Sequence, residues 1–198
     1  MTYFDHQYVS NSDLKAIIHK TEQVRAEPEN LKDIFEAGTL NHHALLEPHK
    51  ADKTHIGYVT AKRMADTVLR DEMCRKLIMM PDFRREHEWY KKDIFGLEGA
   101  RCKTDGDSRM MSTIFEYKGL SITTENGFDS AIENHDYDQS AFFYLNVVGY
   151  KNYLIVGVSK KSPDKLFKRL IDRDHRWYSS GGIKTEKAIK AWKNFGFV

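Results

Sequence analysis

Apolar residues recur at helical spacing over roughly the first eighty positions and at strand spacing afterwards. Ile17, Ile18 and Val24 follow Ser10-Asn11-Ser12-Asp13-Leu14, which predicts a first helix from about Asp13 with Ser12 as its N-cap. Ile34, Phe35, Leu40, Leu45 and Leu46 mark a second helix over Leu31 to Leu46, ending before Pro48. A third, over Thr60 to Met79, is rich in helix formers and is stopped by Pro81. From Glu86 the period shortens. Glu86 to Phe95, Leu97 to Asp105 and Ser112 to Leu120 read as three strands of a meander, separated by Gly96 and by the turn cluster Asp105-Gly106-Asp107-Ser108. Phe128 to Val148 returns to helical spacing, and the apolar run Tyr153 to Val158 predicts a strand buried on both faces, with Leu166 to Ile171 as its partner. After a break at Gly181-Gly182, Thr185 to Phe195 closes the chain as a helix, with Lys184, Lys187, Lys190 and Lys193 at three-residue spacing. This order predicts an α/β (α+β) fold with a mixed central sheet flanked by helices. Residues 1–80 form its helical part and 86–198 its sheet core and closing helix, and 198 residues suit a single domain.

Composition narrows the class. At 40% hydrophobic and 12% aromatic residues the chain is too apolar for disorder, yet no apolar run approaches the ~20 residues that span a bilayer. The opening segment has neither a charged n-region nor an apolar h-region, and two unpaired-looking cysteines, Cys74 and Cys102, suit a reducing compartment, so a cytoplasmic location is expected. Net charge is only +2, but residues 160–198 carry a local +7 and the remainder −5. A basic tail on an acidic body suits cations presented to a polyanion and carboxylates gathered elsewhere, and it equally suits a solvated basic helix.

The candidate chemistry lies in Lys103-Thr104-Asp105-Gly106-Asp107 and Ile114-Phe115-Glu116-Tyr117-Lys118. On a strand, Glu116 and Lys118 share one face and Phe115 and Tyr117 the other. A hairpin would bring Asp105 beside Glu116. Two carboxylates held together call for a cation, Mg²⁺ accepts one or two carboxylates plus waters and phosphate, and a neighbouring lysine can align a water and steady charge on a phosphate. By spacing alone, a surface ion pair explains the same residues. Asp107 reads either as an acid supporting the site from behind or as the turn residue after Gly106, the turn being favoured. His87, His135 and His175 lack zinc-ligand spacing, and Gly181-Gly182 lacks the Lys-Ser/Thr of a phosphate loop. Trp177 and Tyr178 beside Arg173 and Arg176 could stack on and neutralise DNA, or form an apolar cluster.

Four further blocks bear on this. Tyr8-Val9-Ser10-Asn11-Ser12-Asp13-Leu14 leads into the first helix, and Gly38-Thr39-Leu40-Asn41-His42 precedes Leu46-Glu47-Pro48 on the second. Tyr137-Asp138-Gln139-Ser140-Ala141-Phe142-Phe143-Tyr144 precedes the apolar strand, and Lys160-Lys161-Ser162-Pro163 follows it. In order and spacing, over roughly residues 7–197, the chain resembles the PDDEXK nuclease superfamily, in its phage-recombination exonuclease branch of RecE and lambda-exonuclease types. The resemblance implies a metal-dependent deoxyribonuclease, an exonuclease that resects linear duplex DNA. Asp105 and Glu116 would be metal ligands, Lys118 the water-positioning lysine, and His42 a helix-borne histidine approaching metal or phosphate. Glu88, favoured over Glu86 because it lies further into its strand, would add a third carboxylate. Ser12, Gln139, Tyr144, Arg173 and Arg176 would contact DNA. The helix glutamine is displaced by one: Ser140 takes its usual position when Tyr144 is aligned. The implied cofactor is Mg²⁺, with Mn²⁺ able to substitute, and the implied partners are DNA, a single-strand annealing protein and further copies of the chain. A structure- or site-specific endonuclease, or an inactive DNA-binding module, would use the same fold.

Overall fold

A computed structural model describes residues 8–22 and 31–194; Val24 and Phe195, assigned above to helices, lie outside them. The elements run β1 (Val9–Ser10), α1 (Asn11–Glu22), α2 (Leu31–Leu46), α3 (Tyr58–Arg70), α4 (Glu72–Ile78), β2 (Arg84–Ile94), β3 (Leu97–Ser108), β4 (Thr113–Leu120), α5 (Glu125–Asn134), α6 (Tyr137–Val148), β5 (Asn152–Ser159), β6 (Leu166–Ile171) and α7 (Arg176–Asn194). The fold is α/β with a mixed six-stranded sheet of order β1-β3-β4-β5-β6, β2 pairing on the other edge of β3. β2, β3 and β4 form the expected meander, while β4 and β5 run parallel and β6 is antiparallel to β5.

Local chemistry moves four boundaries. Helix α1 starts before Ser12, because Ser10 and Asp13 cap it reciprocally: the Ser10 hydroxyl accepts the Asp13 N–H (3.2 Å) and the Asp13 carboxylate accepts the Ser10 N–H (2.9 Å). Thr60 to Met79 divides at Asp71, whose extended backbone interrupts the helix and whose carboxylate accepts the Cys74 N–H to start α4. Phe128 to Val148 divides at Asp136, which is left-handed (φ 54°). Helix α7 passes through Gly181-Gly182 unbroken. There the glycine is a packing device: a Cβ at Gly181 would sit 2.1 Å from the Asp138 carbonyl oxygen, so its absence lets α7 lie against α6.

Alternation along β4 and β5 places the two core layers. Phe115, Tyr117, Leu154 and Val156 pack against Leu45, Met64, Val68 and Leu77 of α2–α4. Ile114, Tyr153 and Ile155 face Phe128, Ile132 and Leu145 of α5 and α6. Each such side chain, fully buried, contributes about 1.5–3 kcal/mol. Val9, Leu14 and Ile18 join Phe143, Ala188 and Ile189 in a third cluster that fixes the start of the chain on α6 and α7. Both cysteines are buried, and burial pushes the Cys74 thiol up to about 12. Among the described residues no helix is long and apolar enough to cross a membrane.

Candidate active site

The site lies where β3 loses its neighbours. On one edge β3 pairs with β1 at Ala100 and Arg101 and with β4 only from Gly106 to Ser108, so Cys102 to Asp105 face a gap between the two strands. Asp105 fills it. Its Oδ2 accepts the Tyr117 backbone N–H at 2.8 Å, replacing with a side chain the ladder bond that the parting strands cannot make. That bond fixes the carboxylate and leaves Oδ1 directed at His42.

His42, on α2, reaches the gap from above β4. Its Nε2 lies 3.1 Å from the Tyr117 carbonyl oxygen, while Nδ1 is 3.5 Å from Asp105 Oδ1 and 3.7 Å from Glu86 Oε1. With Nε2–H donating to the carbonyl, Nδ1 presents its lone pair to whatever sits between the two carboxylates. Burial disfavours the imidazolium, but Asp105 and Glu86 outweigh it and raise the His42 pKa. His43 points along the groove wall with Gly38, Thr39, Glu47 and Lys50, bounding with His42, Glu86 and Lys103 a groove of about 500 Å³.

The glutamate that stands with His42 and Asp105 is Glu86, not Glu88. Glu86 has a positive φ of 51°, and the β2–β3 ladder is interrupted at this residue. The strained backbone lies beside His42 and opposite Asp105. Glu88 is exposed and takes the Tyr90 hydroxyl at 3.0 Å. Period-two spacing carries no signal for a left-handed residue inside a strand, and so it ranked the two acids by depth alone. Burial works to raise the Glu86 pKa, yet His42 and Lys103 hold it down at about 2; Lys103 Nζ is 2.7 Å from its Oε2. His42, Glu86 and Asp105 each offer a ligand atom within 4.8 Å of the others and could hold a metal ion.

Glu116 and Lys118 emerge on the α5–α6 face, as alternation requires. Lys118 Nζ is 2.7 Å from Glu116 Oε1 and 3.6 Å from Asp105 Oδ2. Burial and the Asp105 charge push Glu116 up to about 6 in spite of Lys118. Burial alone would lower Lys118, but Asp105 and Glu116 hold its pKa above the ordinary lysine range. Glu116 Oε2 is buried and has no hydrogen-bond partner among the described residues. Glu116 is not part of the three-ligand group, and Lys118 links it to Asp105; a buried carboxylate oxygen without a partner is one that a cation would satisfy, and the oxygen-rich set with one imidazole suits a divalent metal ion.

The side chains expected to contact DNA are not gathered with these. Ser12 is exposed on the first turn of α1, whereas Gln139 is buried on α6 and lines a separate hollow with His19, Asp136 and Lys187. At the neighbouring position Ser140 accepts from Asn11 and Lys15, each at 3.0 Å. Tyr144 packs edge-on against Tyr153. Trp177 is buried, its indole donating to Glu133 at 2.9 Å with the Arg176 guanidinium over its ring. Arg173 donates to the Tyr178 hydroxyl. Part of the basic tail is neutralised within the fold: Lys168 pairs with Asp71, Arg169 with Glu125 and Asp129, and Lys184 with Asp136 and Asp138. Asp107 is no turn residue; it is fully buried and bound by Arg84, Trp89, Thr104 and Tyr150.

No protein-family profile matches the sequence, and no curated protein matches it. Solved structures do. A candidate exonuclease from Eubacterium rectale superposes with a TM-score of 0.60 over 97% of this chain and 83% of its own, at 16% identity. A phage-related exonuclease from Haemophilus somnus covers 95% of this chain and 94% of its own at 12% identity, with a TM-score of 0.48. At such identity a likeness establishes architecture alone: the mixed sheet with helices on both faces is a fold that this chain shares with the Eubacterium rectale structure.

Proposed function

We propose that the chain is a divalent-metal-dependent deoxyribonuclease, and specifically an exonuclease acting on the ends of linear duplex DNA. The observation that carries this reading is the gap between β3 and β4. Asp105, Glu86 and His42 converge there, and Glu116 and Lys118 meet Asp105 from the adjoining strand. His42, Glu86, Asp105 and the free oxygen of Glu116 would hold the cation, which when bound supplies Lewis-acid stabilisation of phosphate charge and acidifies water. Lys118 remains protonated at neutral pH, so it donates hydrogen bonds: it orients the attacking water and steadies negative charge gathering on the phosphate. The water oxygen bonds to phosphorus and gives up a proton to solvent as the ester bond to the leaving sugar oxygen breaks and that oxygen takes a proton from solvent, so no enzyme-linked species is needed. Mg²⁺ is the expected physiological ion, with Mn²⁺ as substitute.

The acting partners in this reading are DNA and, through the resemblance in sequence, a phage-type recombination system with a single-strand annealing protein. Further copies of the chain would surround the substrate. The assay is release of acid-soluble nucleotides from linear and from covalently closed duplex DNA. Release from linear substrate alone supports the exonuclease, cutting of closed circles makes the protein an endonuclease, and salt-sensitive binding without hydrolysis makes it an inactive DNA-binding module.

A further inference from the structure

Lys15 on α1 is a cation that makes no direct ion pair among the described residues, although Asp136, Glu116 and Asp138 lie near enough to act on its charge. Its Nζ donates to the His135 carbonyl oxygen at 3.1 Å and to the Ser140 hydroxyl at 3.0 Å, both neutral acceptors. The Ser140 hydroxyl also accepts from Asn11 and passes its own proton to the Asp136 carbonyl at 3.2 Å, so it is saturated. Among the described residues Lys15 forms no ion pair, and an ammonium with three N–H donors uses two of them. Other basic side chains of this region do find acids: Lys118 has Glu116 and Asp105, and Lys184 has Asp136 and Asp138.

Its position relates it to the active site. Lys15 Nζ lies 5.7 Å from the centre of the Tyr137 ring and Lys118 Nζ lies 6.0 Å from the same centre, so the two ammonium groups are at most about 12 Å apart. Both lie near one aromatic ring at the start of α6. Of the two, Lys118 is paired directly with carboxylates, whereas the hydrogen-bond acceptors of Lys15 are neutral.

We propose that Lys15 is a phosphate-binding residue: its third N–H takes a non-bridging oxygen of the DNA strand at a phosphate neighbouring the one held by Lys118 and the acidic cluster. The inference rests on the nuclease reading of that cluster and adds a contact that the sequence resemblance did not assign. Burial lowers the Lys15 ammonium to about 8 in spite of Asp136, and Lys118 adds to the lowering. Glu116 and Asp138 also favour the charged form, but burial outweighs all three carboxylates, and a phosphate oxygen on the third N–H would add the direct contact that they do not make. Ser140 stands where the resemblance places a glutamine, and its hydroxyl is short enough to leave room for the Lys15 side chain beside it.

The test is binding without turnover. Fluorescence anisotropy of a labelled linear duplex in EDTA is followed from 50 to 400 mM salt for wild type, Lys15→Gln and Lys15→Arg. Gln can keep a hydrogen bond to the His135 carbonyl without charge, and Arg keeps charge. Each phosphate contact contributes about 0.9 to the slope of log affinity against log salt. Lys15→Gln is expected to flatten the slope by about that amount and to weaken binding about eightfold at 0.1 M salt, the difference closing towards 1 M. Lys15→Arg is expected to keep the slope. An unchanged slope in Lys15→Gln, with thermal unfolding like wild type, would overturn the assignment, as would a slope lost equally in both variants. If Lys15→Gln does not fold, the slope of Lys15→Arg together with that of Lys15→Met decides in the same way. Wild-type nucleotide release, measured in parallel in Mn²⁺, separates the two ideas. Hydrolysis with a slope indifferent to Lys15 removes this contact alone, and a Lys15-dependent slope without hydrolysis removes the nuclease reading alone.

Discussion

Replacing Asp107 by Asn tests whether the buried end of β3 supports the site. Asp107 is fully buried two residues beyond Asp105, and both of its oxygens are engaged. Oδ1 takes the Arg84 guanidinium (2.5 and 3.1 Å) and the Tyr150 hydroxyl (3.3 Å), and Oδ2 takes the Trp89 indole (3.2 Å) and the Thr104 hydroxyl (3.0 Å). Four donors meet one acceptor group. Asn preserves its shape but removes the charge and turns one acceptor into a donor, so either the Arg84–Tyr150 side or the Trp89–Thr104 side faces donor against donor. Breaking a buried pair costs about 3–5 kcal/mol. The Arg84 side chain is 38% exposed, so water recovers part of the guanidinium's loss and the lower end, about 3 kcal/mol, is expected. Urea unfolding in EDTA reads this as a fall in midpoint at constant m. Metal affinity, read separately by calorimetry, should fall with it, because Asp105 hangs from the same strand. A loss below about 1 kcal/mol with unchanged metal affinity would refute the argument that this network holds the site in place.

Five other substitutions test the site and its supporting fold. Glu86→Gln should weaken Mn²⁺ binding by at least tenfold in calorimetry and Glu88→Gln should leave it nearly unchanged; equal effects would contradict the placement of Glu86. Burial and Asp105 raise the Glu116 carboxyl from an ordinary 4.5 to about 6, so the metal-free folded state binds the proton more tightly than the unfolded chain. Glu116 therefore stabilises below pH 4.5, and that contribution, about 2 kcal/mol, is lost as pH rises through 6. The wild type minus Glu116→Gln difference in urea unfolding should show this fall between pH 4.5 and 6.5, and a flat difference would contradict it. Gly181→Ala places a Cβ 2.1 Å from a backbone oxygen and should cost about 2 kcal/mol net of its helix-propensity gain. Gly38→Ala, which meets nothing within 4 Å, should instead stabilise by up to about 1 kcal/mol.

What could be read from the sequence is what periodicity encodes. The meander, the doubly buried β5 and the shared face of Glu116 and Lys118 follow from alternation that the structure keeps. The convergence of Asp105, Glu116, Lys118 and His42 was accessible through the order of their motifs. Three features were not. Glu86 displaces Glu88 because of one left-handed residue in a strand, and backbone φ leaves no mark on hydrophobic spacing. Asp107 looked like a turn residue because Gly106 precedes it, but Gly106 stays in the strand, where a Cβ would strike the Phe83 ring at 2.2 Å. Lys15 resembles any lysine on a helix until the packing of α1 on α5 and α6 shows that its partners are neutral. Gly181-Gly182 shows the same limit: a pair read as a break is a contact between two helices.

In the proposed function the β3–β4 gap hydrolyses DNA with a divalent cation. The most direct measurement is nucleotide release from linear duplex DNA in Mg²⁺ and in Mn²⁺, with and without EDTA, for wild type, Lys118→Ala and Glu116→Gln. Wild type should release nucleotides in a reaction that EDTA abolishes, and each variant should lose at least about a hundredfold, since each removes a group acting on the transition state. Hydrolysis that survives EDTA, or that persists at wild-type rate in Lys118→Ala, would contradict the proposed function.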